Sequence, residues 1–520
     1  MTAATAVRCR ETERLWRTPV TAHTRTSTRK VPVLLPRLST RLLLTGTAGV
    51  LVATGAVAMA AGASPVSAAT AAYQATHARA NAVAGTTRTP AALAKAVCGP
   101  GSRPETGRQG RVPLADYSNG RAAQGYTCNV AEVGHIGTTG GFKTFRYVDR
   151  TGRVCAFYDG TLLVGTSTTH AAPPGTVVLD MTDPAHPVET ARLLTPAMDS
   201  PHESLALNAK RGLLAAGMGS PATAPGIVDV YDVSQDCRHP VLKSTSPLGI
   251  LGHESGFSPD GRTLWISTTS QPGVTAIDVT NPSLPSIVWR STAYTFHGMS
   301  FNGDGTRLYG ADLGDVAGLA VLDVSQVQRR VANPVVKQVS HLTWSTVSIP
   351  QNTQALTIKG RKYLLEFDEY ARNTGATGAD PVGAARMIDV QDEKHPKVVS
   401  DIRLAVHQPA ARDSDQKSDV GANLPVQGYA AHYCAAPKTV DPGIVACSMI
   451  LSGLRVIDVH DPLHPREVAY FNKPAPNTLP LISGAYAMSA PSFDVARKTV
   501  WYSDGDSGFY AVKITNGAWR

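Results

Sequence analysis

Short apolar runs alternating with polar positions fill the chain from about Cys128 onward, and they recur with the same punctuation. Six segments carry the pattern: GTVVLDMTDPAHPVETA from Gly175, GIVDVYDVSQDCRHPVL from Gly226, GVTAIDVTNPSLPSIVW from Gly273, GLAVLDVSQVQ from Gly318, GAARMIDVQDEKHPKVV from Gly383 and GLRVIDVHDPLHPREVA from Gly453. A seventh, GFYAVKI from Gly508, keeps the spacing but has Lys513 where the others have Asp180, Asp232, Asp278, Asp323, Asp389 and Asp458. Alternating β-branched residues, an Asp, a polar turn often closed by Pro and a second apolar run predict strand, turn, strand. The six Asp residues are placed to accept hydrogen bonds from turn amides, which is a structural role.

Another hairpin precedes each segment, clearest in HESLALNAKRGLLAA from His202, HESGFSPDGRTLWIST from His253 and HGMSFNGDGTRLYGA from His297. Asp260-Gly261 and Asp304-Gly305 are tight-turn residues between apolar runs. Each unit therefore has four strands, and the Asp positions fall 52, 46, 45, 66 and 69 residues apart, with Lys513 a further 55 on. Four-stranded units at such periods predict an all-β, seven-bladed β-propeller. The last unit ends without a fourth strand, which residues 129–136 can supply, closing the ring. An open or six-bladed ring with the last hairpin packed elsewhere also satisfies the spacing.

The Gly-led apolar run ending in Asp, the Asp-Pro turn and the following His-Pro resemble the LVIVD-repeat family of bacterial secreted or surface β-propellers. LRVIDVHDPLHP, Leu454 to Pro465, is the nearest copy. The resemblance spans about Cys128 to Arg520 and implies the fold and export. It implies no activity, because the family has no agreed one. The last copy departs from the pattern through Lys513 and its lack of an Asp-Pro turn.

The formal charge of +9 would suggest a nucleic-acid partner if it were spread over the repeats. It sits in the leader instead: residues 1–41 hold nine Lys/Arg against Glu11 and Glu13, leaving 40 basic and 38 acidic residues elsewhere. A near-neutral remainder has no footprint for phosphate backbones. The basic stretch runs into a charge-free apolar run from Leu42 to about Ala61 and then small residues, the order of a secretory signal peptide cleaved after Ala68 or Ala69. A run of that length could alternatively remain as a membrane anchor facing outside. The predicted organisation is a leader and signal peptide over 1–69, a flexible Ala/Thr-rich spacer over 70–97, an irregular extension over 98–127 and the propeller over 128–520.

Outside the leader, six cysteines suit three disulfides in an oxidising compartment. Cys434 and Cys447 flank a short turn-rich loop and are expected to pair across one hairpin. Cys98, Cys128, Cys155 and Cys237 can pair in three ways.

In a propeller, equivalent positions of successive blades form a ring, so a column of aligned residues is a spatial cluster. Stepping back eleven places from the second-strand Leu residues gives His202, His253, His297 and Thr353; looser copies give Lys143 and Ser489, and His432 joins them at the start of HYCAAP. Imidazoles with the adjacent Glu203 and Glu254 suit copper, zinc or iron. Repeated blades also repeat a packing histidine, the reading that equal environments favour, and the two adjacent Glu residues count against it. The His-Pro pairs at His186, His239, His395 and His464 read as turn residues, and Glu366, Asp368 and Glu369 as a solvated acidic edge, with a cation site the alternative. No Gly-x-Ser-x-Gly, His-Glu-x-x-His or phosphate-cradling loop is present.

Two functions follow from different classes. The first is a binding or scaffold module outside the cytoplasm, acting as a monomer on an extracellular protein or small ligand through one face and the insertions at 371–381 and 407–427. The second is a metal-dependent oxidoreductase or hydrolase, with His202, His253, His297 and His432 as ligands and Glu203 or Glu254 as ligand or general base. Convergence of those side chains separates the two.

Overall fold

A computed structural model describes residues 91–520, apart from 161–172, 219–225, 250–251, 270–271, 345–347, 370–381, parts of 413–427, and 475–483. The proposed leader, cleavage site and most of the spacer lie outside the described residues. Among the described residues, no helix is long and apolar enough to cross a membrane.

Seven antiparallel sheets form the seven blades of a propeller. They cover residues 144–193, 206–246, 254–291, 296–342, 349–402, 433–472 and 492–514, in chain order from the inner strand outward. Two short strands precede the first blade, β1 (Tyr126–Cys128) and β2 (Val130–Ile136). β2 pairs with Gly508–Ile514 as the outermost strand of blade 7, so the first strands of the chain close the ring against its last. β1 adds a fifth strand to blade 6, against Arg466–Asn472, which the pattern did not predict.

The period-2 alternation explains how the blades stack. In blade 2, Leu213 and Ala215 face blade 3 and join Leu264, Ile266 and Ile277. Their neighbours Leu214 and Ala216 face blade 1 and join Phe157 and Val178. Both faces of the central strands are buried, and successive side chains serve opposite interfaces. A cluster of this kind lies between each pair of neighbouring blades, including blades 7 and 1, where Trp501 and Phe509 meet Tyr158 and Leu179. The fourth strands, such as Val241–Ser246, are largely exposed on the rim.

The repeated Asp residues perform their turn role. Asp180, Asp232, Asp278, Asp323, Asp389 and Asp458 each accept the backbone N–H two residues on, at 2.7–3.0 Å. The His-Pro histidines close the following turns: His186, His395 and His464 each hold the Asp three residues before at 2.8 Å, and His239 holds Asp236 at 3.4 Å.

Three disulfides join Cys98 to Cys128, Cys155 to Cys237 and Cys434 to Cys447. The last lies between directly opposed residues of one hairpin, as expected. Cys155–Cys237 links blade 1 to the outer turn of blade 2. Cys98–Cys128 ties down the extension, which is more regular than its sequence predicts: a short helix α1 (Leu114–Ser118) precedes β1. Packing begins before Cys98, with the buried Leu93 donating its N–H to the Arg403 carbonyl at 2.8 Å. The extension is also held by charge. Buried Arg455 reaches Glu105 of the extension and Glu467 of blade 6 together. Three disulfides fit an oxidising setting.

Candidate functional site

The inner strands converge on the ring axis, and their first residues meet there. Glu203 and Glu254 are adjacent across a parallel bridge between the entries to blades 2 and 3. The N–H groups of His253 and His432 each bond the carbonyl at the end of the neighbouring second strand, Ser267 at 2.8 Å and Ser448 at 3.0 Å. This shared anchor places the imidazoles of blades 3 and 6 at equivalent heights. His202 sits in the left-handed region, φ 51°, which turns the chain into the inner strand of blade 2. In blade 4 the pairing slips between Phe296 and Met299, and His297 lies at that irregularity.

The four predicted histidines come together. The rings of His202 and His253 are 4.6 Å apart, as are those of His253 and His297. His432 joins through Glu203, whose Oε1 lies 3.0 Å from His432 Nε2 while its Oε2 lies 3.0 Å from His253 Nε2 and 3.5 Å from His297 Nδ1. Glu254 Oε2 is 3.6 Å from His297 Nδ1. A third carboxylate, Glu369, ends the second strand of blade 5 (Arg361–Glu369) and reaches His297 Nε2 at 3.1 Å and His432 Nε2 at 3.2 Å.

Glu369 corrects the reading of a solvated acidic edge. Glu366, Asp368 and Glu369 are all buried within the strand. Buried Arg386 takes the first two, bonding Glu366 and both oxygens of Asp368 with its guanidinium stacked 4.2 Å over Trp344. Glu369 alone of the three enters the hub. The run of acids gave no sign of this division, because it depends on Arg386 one strand away.

Blade 5 departs from the aligned column too. The strand slips between Pro350 and Asn352, so Thr353 turns away to bond the hydroxyl of Ser300 at 2.7 Å and the Tyr309 carbonyl. Gln351 and Asn352 stand nearer the axis, and the Asn352 amide donates to Glu254 Oε1. Lys143 of the looser column reaches the same oxygen and lies 4.8 Å over the Tyr433 ring. Ser489 is spent locally, accepting from the Ser503 N–H at 2.7 Å. Gly298 occupies the position corresponding to Glu203 and Glu254; a Cβ there would collide with the Glu254 carboxylate and the Asn352 amide. Its lack of a side chain makes room for Glu254 to cross the axis.

Hydrogen-bond direction defines the electrostatic state. His432 Nδ1 lies 2.5 Å from the Met488 carbonyl, so that nitrogen carries the proton and donates. Its Nε2 then faces two carboxylates, which requires a proton or a cation between them. His432 Nε2, His297 Nδ1, Glu203 Oε2 and Glu254 Oε2 are buried and make no directed hydrogen bond, despite approaches of 3.0–3.6 Å. Burial pushes the His297 imidazolium toward deprotonation, but Glu203, Glu254 and Glu369 outweigh it and lift its pKa to about 10. His432 rises likewise to about 9, burial again being overcome by Glu203 and Glu369. Burial raises Glu203, yet His297 and His253 hold it well below the ordinary carboxylate range.

Three carboxylates face one Lys143 ammonium, so the hub needs about two further positive charges to be neutral. Two ring protons or a divalent ion can supply them. His253, with 15% of its side chain exposed, is the most open of these groups; Glu203, His297 and His432 are at 3% or below.

No family model and no curated protein matches the chain. Its fold is similar to that of several solved propellers. They include a putative 6-phosphogluconolactonase from Bacteroides uniformis, with TM-score 0.45, 11% identity, and coverage of 67% of this chain and 88% of that one. The periplasmic gluconolactonase PpgL of Pseudomonas aeruginosa gives 0.46 and 14%, over 66% and 88% of the two chains. The Cps50 (Swd1) propeller domain of Myceliophteria thermophila gives 0.45 and 11%, over 74% and 98%. Likeness at these levels is a likeness of fold alone.

Proposed function

We propose that this chain is an exported, metal-dependent enzyme whose active site is the hub of the ring, and that it is a propeller of the LVIVD-repeat type. One observation carries the metal reading. Buried imidazole nitrogens and carboxylate oxygens from four blades crowd to within 3.0–3.6 Å of one another without directed hydrogen bonds, while His432 gives its other nitrogen to a backbone carbonyl. Metal-ligating histidines are oriented in that way. The donor set is imidazole and carboxylate, and the six cysteines of the described region are all in disulfides. Such a set suits zinc or iron ahead of Cu(I), which prefers thiolate and thioether.

An ion held by Glu203, His253, His297 and their neighbours would supply Lewis acidity, which favours hydrolysis as the reaction class. The chain's own residues supply the proton handling. Lys143 and Asn352 hold Glu254 Oε1, which leaves Oε2 facing the centre as a proton acceptor. His253, the most exposed of these groups, marks the side from which a small substrate would enter. Export is supported by the three disulfides and by the leader read from the sequence. The binding-module reading rested on insertions that lie largely outside the described residues and gains no support from the hub.

The test is elemental analysis of the purified full chain beside a His253→Ala/His297→Ala double variant, with ester and phosphoester hydrolysis assayed before and after chelation. Zinc or iron in stoichiometric amount, lost in the variant, together with chelator-sensitive hydrolysis is expected. No bound metal in the wild type after loading would overturn the reading and leave the hub as a proton-neutralised ion cluster.

A further inference from the structure

The donor atoms at the hub do not surround one point. They fall into two triads, His202 with Glu203 and His253, and Glu203 with His297 and Glu369; within each triad the atoms lie within 4.8 Å of one another. The two sets meet at Glu203. Bonds of roughly 2.0–2.2 Å place the donors of a tetrahedral ion about 3.4 Å apart, so each triad would close in modestly around its own ion.

Glu203 has the geometry to serve both. Its Oε2 lies 3.0 Å from His253 Nε2, and its Oε1 lies 3.0 Å from His432 Nε2. His432 Nε2 is also 3.2 Å from Glu369 Oε2, which puts it beside the second triad as a fourth donor. Oε2 also lies 3.5 Å from His297 Nδ1, so the one carboxylate reaches donors of both triads, with Oε1 toward His432 and Oε2 between His253 and His297. A second, independent observation points to ligands there: Glu203 Oε2, His297 Nδ1 and His432 Nε2 are buried atoms that make no directed hydrogen bond and meet only one another's groups and the neighbouring hub residues, at 3.0–3.6 Å. A hub built only for packing would leave such atoms paired. Glu254 stands apart, since Lys143 and Asn352 occupy one of its oxygens.

We propose that the hub is a dinuclear centre for two divalent first-row ions, zinc or iron, bridged by the Glu203 carboxylate. His202 and His253 hold one ion; His297, Glu369 and His432 hold the other. This rests on the metal reading above and sharpens it. Two adjacent ions can grip two oxygens of one substrate, which suits an oxyanion such as a phosphoester or carboxylate ester.

Counting ions separates this proposal from its foundation. The full chain is stripped with chelator, loaded with Zn²⁺, desalted, and its zinc per chain measured beside His253→Ala and Glu203→Gln. Two ions in the wild type, one in His253→Ala and at most one in Glu203→Gln are expected. His202→Gln, expected also to retain one, serves if His253→Ala does not fold. In the Co²⁺-loaded wild type, magnetic coupling between the two ions is expected; two ions without coupling would mean a second, adventitious surface ion and would overturn the bridge. One zinc in the wild type would overturn the dinuclear centre while leaving the metal site standing. No zinc would overturn both.

Discussion

Raising the pH of the metal-free protein should destabilise it through its hub. The folded-state pKa of His297 is about 10 and that of His432 about 9, against an ordinary 6.5. A histidine raised in this way stabilises the fold fully below pH 6.5 and loses that contribution as pH climbs to the folded value. Three and a half units correspond to about 5 kcal/mol for His297. The two histidines share Glu203 and Glu369, so the pair is worth less than the roughly 8 kcal/mol that their shifts would sum to. In a ring of this size that is a fall in Tm of about 10 °C at most. Glu203 acts in the opposite direction: with its pKa lowered, its contribution is present above pH 4.5 and lost as pH falls. Stability of the stripped protein should therefore peak between about pH 5 and 6.5. Zinc-loaded protein needs neutral imidazoles, so it should not show the alkaline loss, and loading should release protons from these rings. The assay is scanning calorimetry at pH 6.5, 8 and 10 on stripped and loaded wild type, with Glu369→Gln as a control for titrations elsewhere. A stripped protein whose Tm profile over that range matches the Glu369→Gln variant would refute the reasoning.

The ion pair that positions Glu254 can be tested by Lys143→Met, which leaves the buried carboxylate with Asn352 and the His297 imidazole 3.6 Å away and should cost about 3 kcal/mol in urea unfolding. In a Glu254→Gln background the same change should cost at least about 1 kcal/mol less; additive costs would mean the two side chains do not act together. The disulfides should differ in worth. Removing Cys155–Cys237, 82 residues apart, should destabilise by about 4.5 kcal/mol in the chain-entropy model, and removing Cys434–Cys447, 13 apart, by about 3 kcal/mol. Paired Cys→Ala variants compared by Tm check the order, and an inverted order would show that local packing outweighs loop entropy.

The ring was legible because each blade states its own strands twice, in alternation and in turn chemistry, and because a missing outer strand in the last blade demands one from elsewhere. Gly508–Ile514 and β2 meet on that demand. The histidine column was legible for the same reason: equal spacing from a buried Leu means equal height on the axis. Where a strand slips by a residue, that inference breaks. The irregularity after Pro350 moved Thr353 off the axis and brought Asn352 in, and nothing in the run IPQNTQAL marks the slip. Glu369 was visible as an acid but not as a hub residue, since its direction is set by Arg386 having taken Glu366 and Asp368. β1 escaped notice because three residues are too few to show a period.

The departures from the repeat explain why the hub can be chemical at all. Seven identical blades would place seven identical side chains around the axis, and seven like charges or seven imidazoles could neither pack nor divide labour. Here four blades give an imidazole, and what accompanies it differs from blade to blade. Blade 2 gives the shared carboxylate and blade 3 a carboxylate turned aside. Blade 4 gives an imidazole followed by Gly298, whose missing side chain is the space Glu254 fills. Blade 5 gives Asn352 and Glu369, blade 6 an imidazole locked by Met488, and blade 1 the lone ammonium. Packing is conserved by the repeat along the strands and abandoned at their first residues. A fold that needed those positions only for stability would have no reason to break its symmetry there.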